Sequence, residues 1–206
     1  MATIRFIDQT SKNPQKQLGR LLQSLESGLE GRTKLTEATT LDSLYMSILQ
    51  EAYKDHDPAD GPDVRSVLGA VILATDPLSP STISILMGFD VEDVFPILLS
   101  AHSLLILQED IDHPVRPFHK SFPDFIVDPA RCANPIFRVC PSEQHAKLLV
   151  GCLDLMNRTL EQNMCRIPEG ITNSEVNNLK ERTEQYINKA LDYACRSWHK
   201  HLIDKM

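Results

Sequence analysis

Apolar residues recur at helical spacing in several parts of the chain, most clearly over residues 41–52. The spacing i, i+3, i+4, i+7, i+8 and i+11 gives one continuous apolar stripe: Leu41, Leu44, Tyr45, Ile48, Leu49 and Ala52. Thr40 is the predicted N-cap of this helix. Residues 26–40 are polar, contain two glycines and show no apolar period, which predicts a linker. Residues 1–25 predict two short helical pieces.

Three shorter helices are predicted next. Residues 64–74 are apolar enough to form a buried helix. Ser79-Pro80 is a favourable N-cap and N1 pair for a short helix that ends near Gly88. Asp90 is the predicted cap of a third helix over about residues 91–103.

Two short extended runs follow these helices. They cover residues 104–107 and 115–118 and flank a polar turn, which predicts a β-hairpin. Three helices followed by a hairpin is the element order of a winged helix, an elaborated helix-turn-helix. We therefore expect a winged-helix domain over residues 41–130.

The last third of the chain again has helical periodicity. Residues 142–160 predict one helix, and Thr172–Glu175 is a capping box that predicts the start of a long second helix reaching Trp198. Two such helices indicate an antiparallel helical hairpin or the first unit of a solenoid. The expected fold is mainly α: a winged-helix domain followed by a helical domain over residues 131–206.

Composition indicates an ordinary globular chain with an acidic balance. Its 206 residues are 42% hydrophobic and 24% charged, with a net charge of −7. The helix over residues 91–103 carries Glu92 and Asp93 but no lysine or arginine, so it is unsuited to the major groove of DNA. We expect no nucleic-acid partner.

No apolar run approaches the length of a membrane span, and the N-terminal residues lack the apolar core of a signal peptide. The five cysteines are an odd number without a close CxxC pair, which favours a reducing compartment. The predicted location is the cytoplasm.

Motifs of catalysis, phosphate binding and metal binding are absent from the sequence. Residues 28–33 lack the GxxxxGK[ST] spacing of a phosphate loop, and neither GxSxG nor HExxH occurs. The histidines and cysteines with possible ligand roles match no common zinc spacing: His113, His119, Cys132, Cys140, His145, His199 and His201. We predict no catalytic residue, no metal and no cofactor bound by this chain alone.

His119 is the most informative candidate residue. It lies among aromatic side chains directly after the predicted hairpin, with Arg116 and Lys120 beside it in sequence. It either makes internal hydrogen bonds as a buried polar group or donates to an anion held by a neighbouring protein or domain. Charge-assisted bonds to a phosphate would favour the protonated imidazole, with Arg116 and Lys120 supporting the charge.

Four ordered sequence blocks carry a resemblance to a known family. They are residues 41–49 (Leu-Asp-Ser-Leu-Tyr-Met-Ser-Ile-Leu), 76–79 (Asp-Pro-Leu-Ser), 118–126 (Phe-His-Lys-Ser-Phe-Pro-Asp-Phe-Ile) and 193–202 (Tyr-Ala-Cys-Arg-Ser-Trp-His-Lys-His-Leu). Together they resemble the region after the nucleotide-binding core in NACHT-type STAND NTPases, the signalling ATPases that include NOD-like receptors. The likeness is to the large NACHT proteins of mushrooms in particular.

The resemblance implies a regulatory role for His119. In that family the winged-helix histidine contacts the β-phosphate of ADP in the neighbouring NACHT domain and holds the protein closed. Exchange of ADP for ATP would break the contact and release an oligomerising form. Arg116 and Lys120 are added from chemistry and do not belong to the family motif.

The Walker motifs of the family are missing, so we expect a non-catalytic middle piece of a STAND protein. Residues 1–25 would be the last helices of its NACHT domain, and the partner would be a NACHT domain in cis or in trans. Two alternatives remain: a nucleotide-independent helical scaffold for protein–protein interaction, and a non-functional truncated paralogue. A cysteine-dependent enzyme is a third class, and it would need one thiol of unusually low pKa.

Overall fold

A computed structural model of the chain describes residues 31–56 and 61–205. The predicted helical pieces in residues 1–25 lie outside the described residues. Within the described ranges the protein is mainly helical with one small two-stranded sheet. None of the helices there has an apolar stretch long enough to cross a membrane.

The first helix, α1, spans Gly31–Ala52 and begins nine residues before the predicted N-cap at Thr40. Residues 31–40 of the predicted linker 26–40 are therefore part of a helix. Helix propagation explains the difference, because extending an established helix requires far less free energy than nucleating one. The buried face of residues 41–52 anchors the helix through Leu41, Tyr45 and Leu49, and no proline interrupts the preceding stretch.

Helices α2 (Gly61–Leu73), α3 (Pro80–Met87) and α4 (Val91–Ser100) follow in chain order. The caps predicted for α3 are confirmed. The Ser79 hydroxyl oxygen accepts from the Thr82 amide at 3.2 Å. Gly88 ends the helix with φ 72°, in the left-handed region that glycine adopts readily.

The hairpin predicted after these helices is also present. Strands β1 (Leu105–Ile106) and β2 (Arg116–Pro117) pair antiparallel, with Leu105 opposite Pro117 and Ile106 opposite Arg116. Backbone bonds anchor the pair at its base, from Val115 N to Leu78 O at 2.8 Å and from Phe118 N to Leu104 O at 2.8 Å. A short helix, α5 (Ser121–Val127), follows directly.

The C-terminal part contains α6 (Pro141–Thr159), a 3₁₀ turn (Asn173–Glu175), α7 (Leu179–Tyr186) and α8 (Lys189–Lys205). Helix α6 confirms the prediction for residues 142–160.

The single long helix predicted from Thr172 is wrong, because the structure divides this segment. The capping box does form, with Thr172 N donating to Glu175 Oε2 at 2.6 Å, but it opens only the 3₁₀ turn. A second N-cap lies farther on, where Asn188 Oδ1 accepts from the Leu191 amide at 2.8 Å and starts α8. Helix α7 has no fully buried side chain, so core packing gives little support for one continuous helix through α7 and α8.

One continuous core joins the two halves of the described chain. Tyr45, Phe122 and Phe125 are among its aromatic residues, and buried residues of α6 and α8 extend it. Helix α6 packs most extensively against α8 and also contacts α2 and α3. The core therefore runs across the predicted domain boundary at residues 130–131, and that boundary stays a prediction.

Replacing Gly151 by alanine tests the close approach of α6 to α3. The new Cβ would lie 1.9 Å from the Leu86 carbonyl oxygen, a backbone atom that cannot move without displacing α3. We expect the free energy of unfolding to fall by about 1–3 kcal/mol, although glycine to alanine alone stabilises a helix interior by roughly 0.5–1 kcal/mol. Urea unfolding followed by circular dichroism measures the change. Val150→Ala, at the exposed neighbouring position, is the matched control, and a stabilised G151A protein would contradict the close packing.

Candidate functional site

His119 lies between β2 and α5, at the corner where the hairpin turns into the helix, and its side chain is half-buried. Its Nδ1 accepts a hydrogen bond from the backbone amide of Ser121 at 3.1 Å. The Ser121 hydroxyl lies 2.8 Å from the same nitrogen. Because a backbone N–H can only donate, Nδ1 must present a lone pair, and the serine hydroxyl donates to it as well.

Tyr45 of α1 completes a chain of hydrogen bonds that ends at this imidazole. Its hydroxyl lies 2.7 Å from Ser121 Oγ. The Tyr45 ring is fully buried, with centroids 5.4 Å from Phe122 and 5.3 Å from Phe125. Burial raises the pKa of Tyr45, so the hydroxyl keeps its hydrogen and donates it to Ser121.

The chain therefore runs from Tyr45 O–H to Ser121 O–H to His119 Nδ1. A neutral imidazole carries one ring hydrogen, and an accepting Nδ1 places that hydrogen on Nε2. The protonated imidazole expected with a bound phosphate stays a prediction; protonation of Nδ1 would remove the acceptor that both Ser121 groups use. In this tautomer Nε2 is the N–H donor of a neutral ring, and the bonds to Ser121 fix the direction of that ring.

Arg116 and Lys120 are both exposed. Arg116 lies in β2 opposite Ile106, and Lys120 occupies the residue before α5. Neither forms an ion pair within the described residues. Their supporting role beside His119 stays a prediction.

Sequence reasoning missed Tyr45 and Ser121 as partners of His119. A signal existed for Ser121, because a side-chain acceptor two residues before an amide at a helix start is a common turn arrangement. Tyr45 fitted the apolar stripe of its helix and was assigned to the core alone. Its hydroxyl contact spans 76 positions of sequence and depends on tertiary packing.

Among the residues that the structure describes, no group of three or more histidine, cysteine, aspartate or glutamate side chains lies close enough to hold a metal ion. His145 and His201 do meet, although their sequence spacing gave no indication of it. Their Nδ1 atoms are 2.9 Å apart in the interface between α6 and α8.

Cys140 differs from the other cysteines whose pKa is shifted. Hydrogen bonding from Ser142 and from the Glu143 amide lowers the pKa of this exposed thiol. Burial instead raises the pKa of Cys132 and Cys195, and that of Cys152 to about 12. Cys140 is therefore the thiol with the most thiolate character in this set.

Comparison of the chain with protein-family models, with curated proteins and with solved structures gave no match. The family resemblance accordingly rests on the four sequence blocks. The functional argument rests on the residues around His119.

Tyr45→Phe tests the hydrogen-bond chain. The variant keeps the aromatic packing but removes the donor to Ser121, so the free energy of unfolding should fall by about 1 kcal/mol. Urea unfolding measures the loss. Nitrogen NMR of His119 should also show an unprotonated Nδ1 in the wild-type protein. Tyr186→Phe, at a half-exposed ring beside Arg166, is the control, and an equal effect of both variants would contradict the chain.

Alkylation rates test whether any thiol is activated. Cys140 should react fastest with iodoacetamide near neutral pH, because hydrogen bonding lowers its pKa and its side chain is exposed. The buried Cys132 and Cys152 should react slowest. Mass spectrometry of the labelled peptides gives all rates in one experiment. Uniformly slow labelling would exclude a cysteine-dependent enzyme.

Proposed function

We propose that this chain is a non-catalytic regulatory arm of a NACHT-type STAND NTPase. A winged-helix unit would present His119 to ADP in a neighbouring NACHT domain, and the C-terminal helices would connect this unit to the rest of the assembly. The observation that carries the proposal is the hydrogen-bond chain from Tyr45 through Ser121 to His119. It fixes the imidazole as an Nε2 donor at the corner between hairpin and helix.

The element order supports the winged-helix assignment. Helices α2, α3 and α4 precede the hairpin β1–β2, as in that fold. The position equivalent to a recognition helix is α4, which exposes Glu92 and Asp93 and contains no lysine or arginine. A helix of this charge is repelled by DNA phosphates, so the unit would serve in protein contacts.

The proposed mechanism needs only a neutral imidazole as the donor. With ADP in the NACHT domain, the Nε2–H of His119 would donate to a β-phosphate oxygen and hold the two units together. Replacement of ADP by ATP would move that oxygen or its charge and weaken the contact. The arm would act in cis within a longer protein or in trans on an intact NACHT protein, in the cytoplasm.

His119→Asn is the decisive variant. The asparagine Oδ1 occupies roughly the place of Nδ1 and still accepts from the Ser121 amide, but the side chain is too short to reach the place of Nε2. The variant should therefore keep the stability of the corner while losing the distal donor. Binding to a purified NACHT domain of the same type is measured with ADP, with a non-hydrolysable ATP analogue and without nucleotide.

The proposal expects binding that requires ADP and falls by about tenfold or more in H119N, because a hydrogen bond to a charged group contributes about 1.5–3 kcal/mol. His113→Asn, at an exposed position of the hairpin loop, is the matched control and should bind like the wild type. Binding that is indifferent to nucleotide and to H119N, or an absence of binding, would overturn the nucleotide-sensing role.

A helical scaffold is the second candidate, and an open groove between α3 and α6 favours it. The groove has a volume of about 530 Å³, and its exposed apolar residues include Ile85 and Val150, with Lys147 and Arg158 among its charged residues. Exposed apolar surface of this kind often marks protein contacts. A scaffold would tolerate H119N but lose partner binding in Val150→Lys, which separates the two candidates.

A further inference from the structure

Two buried histidines join α6 to α8. His145 lies near the start of α6 and His201 near the end of α8, with their Nδ1 atoms 2.9 Å apart. The ring centroids are 5.2 Å apart, and the residues are 7% and 0% exposed. A hydrogen bond between two imidazole nitrogens uses one hydrogen, so one ring donates and the other accepts.

Tyr193 extends this contact into a longer chain of hydrogen bonds. Its hydroxyl lies 2.7 Å from Nε2 of His201, and the Thr75 amide donates to the same oxygen at 3.3 Å. Burial raises the pKa of Tyr193 to about 12, so the phenol keeps its hydrogen. Because the Thr75 amide donates to the phenol oxygen, Nε2 of His201 is the acceptor that the phenol hydrogen meets in the described part of the chain. His201 then carries its ring hydrogen on Nδ1 and donates to His145.

Proton addition changes this pattern. An imidazolium has hydrogens on both nitrogens, so a protonated His145 would donate to His201 and shift the hydrogen of His201 to Nε2. The Tyr193 hydroxyl would then lose its acceptor. A second proton would place hydrogens on both facing Nδ1 atoms, and the hydrogen bond between the rings could no longer form.

We propose that the His145–His201 contact is an acid-sensitive joint. With both rings neutral it holds the last turns of α8 against α6, and protonation of the pair releases them. The proposal is independent of the nucleotide contact suggested for His119.

Other contacts determine which part of α8 responds. Thr75 Oγ1 lies 2.7 Å from Ser197 Oγ, and Arg196 pairs with Asp76 at 3.3 Å, so the first half of the helix is tied to the segment after α2. Beyond Ser197 the buried polar contact is the one made by His201. Release is therefore expected in the turns from Trp198 onward.

The charged side chains near the two rings have opposite effects on their pKa values. Lys200 of α8 opposes protonation of His201, and Asp204 favours protonation of both rings, but both charges are exposed. Facing Tyr193 are Cys152 of α6 and Asp76 of the segment after α2.

Burial is the main influence on both rings. It lowers the pKa of His145 and, together with the charge of His145, lowers that of His201 to about 4. Because the folded pKa values lie below the ordinary 6.5, the joint contributes its full stability above that pH. This contribution is lost as the pH falls from there toward about 4.

Trp198 offers a direct readout, because it is the one tryptophan of the chain and lies three residues before His201. The neighbouring His199 would disturb the signal, since its ring lies 6.0 Å from the indole and would quench emission when protonated. The experiment therefore uses the full chain with His199→Asn as the parent protein. Fluorescence is followed from neutral to acidic pH in this parent and in a double variant that also carries His145→Asn. The asparagine keeps a hydrogen-bonding group but cannot titrate.

If protonation releases the end of α8, Trp198 emission in the parent should shift to longer wavelength as the pH falls. The midpoint should lie between pH 6.5 and about 4. His145→Asn should move this midpoint and reduce the number of protons taken up by about one. Constant emission over the range, or an unchanged midpoint and steepness in the variant, would overturn the proposal.

If circular dichroism shows that the His145→Asn variant does not fold, a second measurement replaces it. Proton and nitrogen NMR of the parent then follow the two rings directly. Depressed titration of both rings, coupled to the shift of Trp198, supports the joint. Titration of both at the ordinary histidine pH overturns it.

Discussion

Burial of the Tyr45 hydroxyl is the constraint on which the His119 corner depends. A phenol among Phe122 and Phe125 loses its water, and a buried hydroxyl without a partner would destabilise the fold by about 1–3 kcal/mol. Ser121 supplies the acceptor, and its own hydroxyl hydrogen is then directed to His119. The core therefore supports the tautomer that the Ser121 amide imposes on His119, whose side chain is only half-buried. Ser121 therefore connects the packing of Tyr45 in the core to the hydrogen bonding of His119.

Local signals predicted much of the fold correctly. Ser79 and Pro80 mark the start of α3, Gly88 marks its end, and the two extended runs around a polar turn form the hairpin. Each of these features depends on neighbouring residues, because caps and turns satisfy backbone groups within a few positions. Asn188 is a cap of the same local kind, but the apolar stripe through this segment predicted one uninterrupted helix.

The contacts that define the candidate sites could not be predicted in this way. Tyr45 and Ser121 are separated by 76 positions, and His145 and His201 by 56. Zinc motifs depend on short, regular spacings, so spacing rules gave no reason to pair two histidines on different helices. Their contact follows from the antiparallel packing of α6 on α8. The same helix also approaches α3 closely, at Gly151 against the backbone of Leu86.

The two histidine sites share one chemical arrangement and differ in burial. In each, a buried tyrosine with a raised pKa directs its hydrogen along a chain that ends at an imidazole. At His119 the chain fixes one nitrogen as an acceptor in a half-buried ring, which suits hydrogen-bond donation to a partner. At His201 both nitrogens are engaged inside the fold, so an added proton has to rearrange internal bonds. We therefore propose recognition at one site and pH dependence at the other from the same tyrosine–histidine chemistry, with the depth of burial as the difference between them.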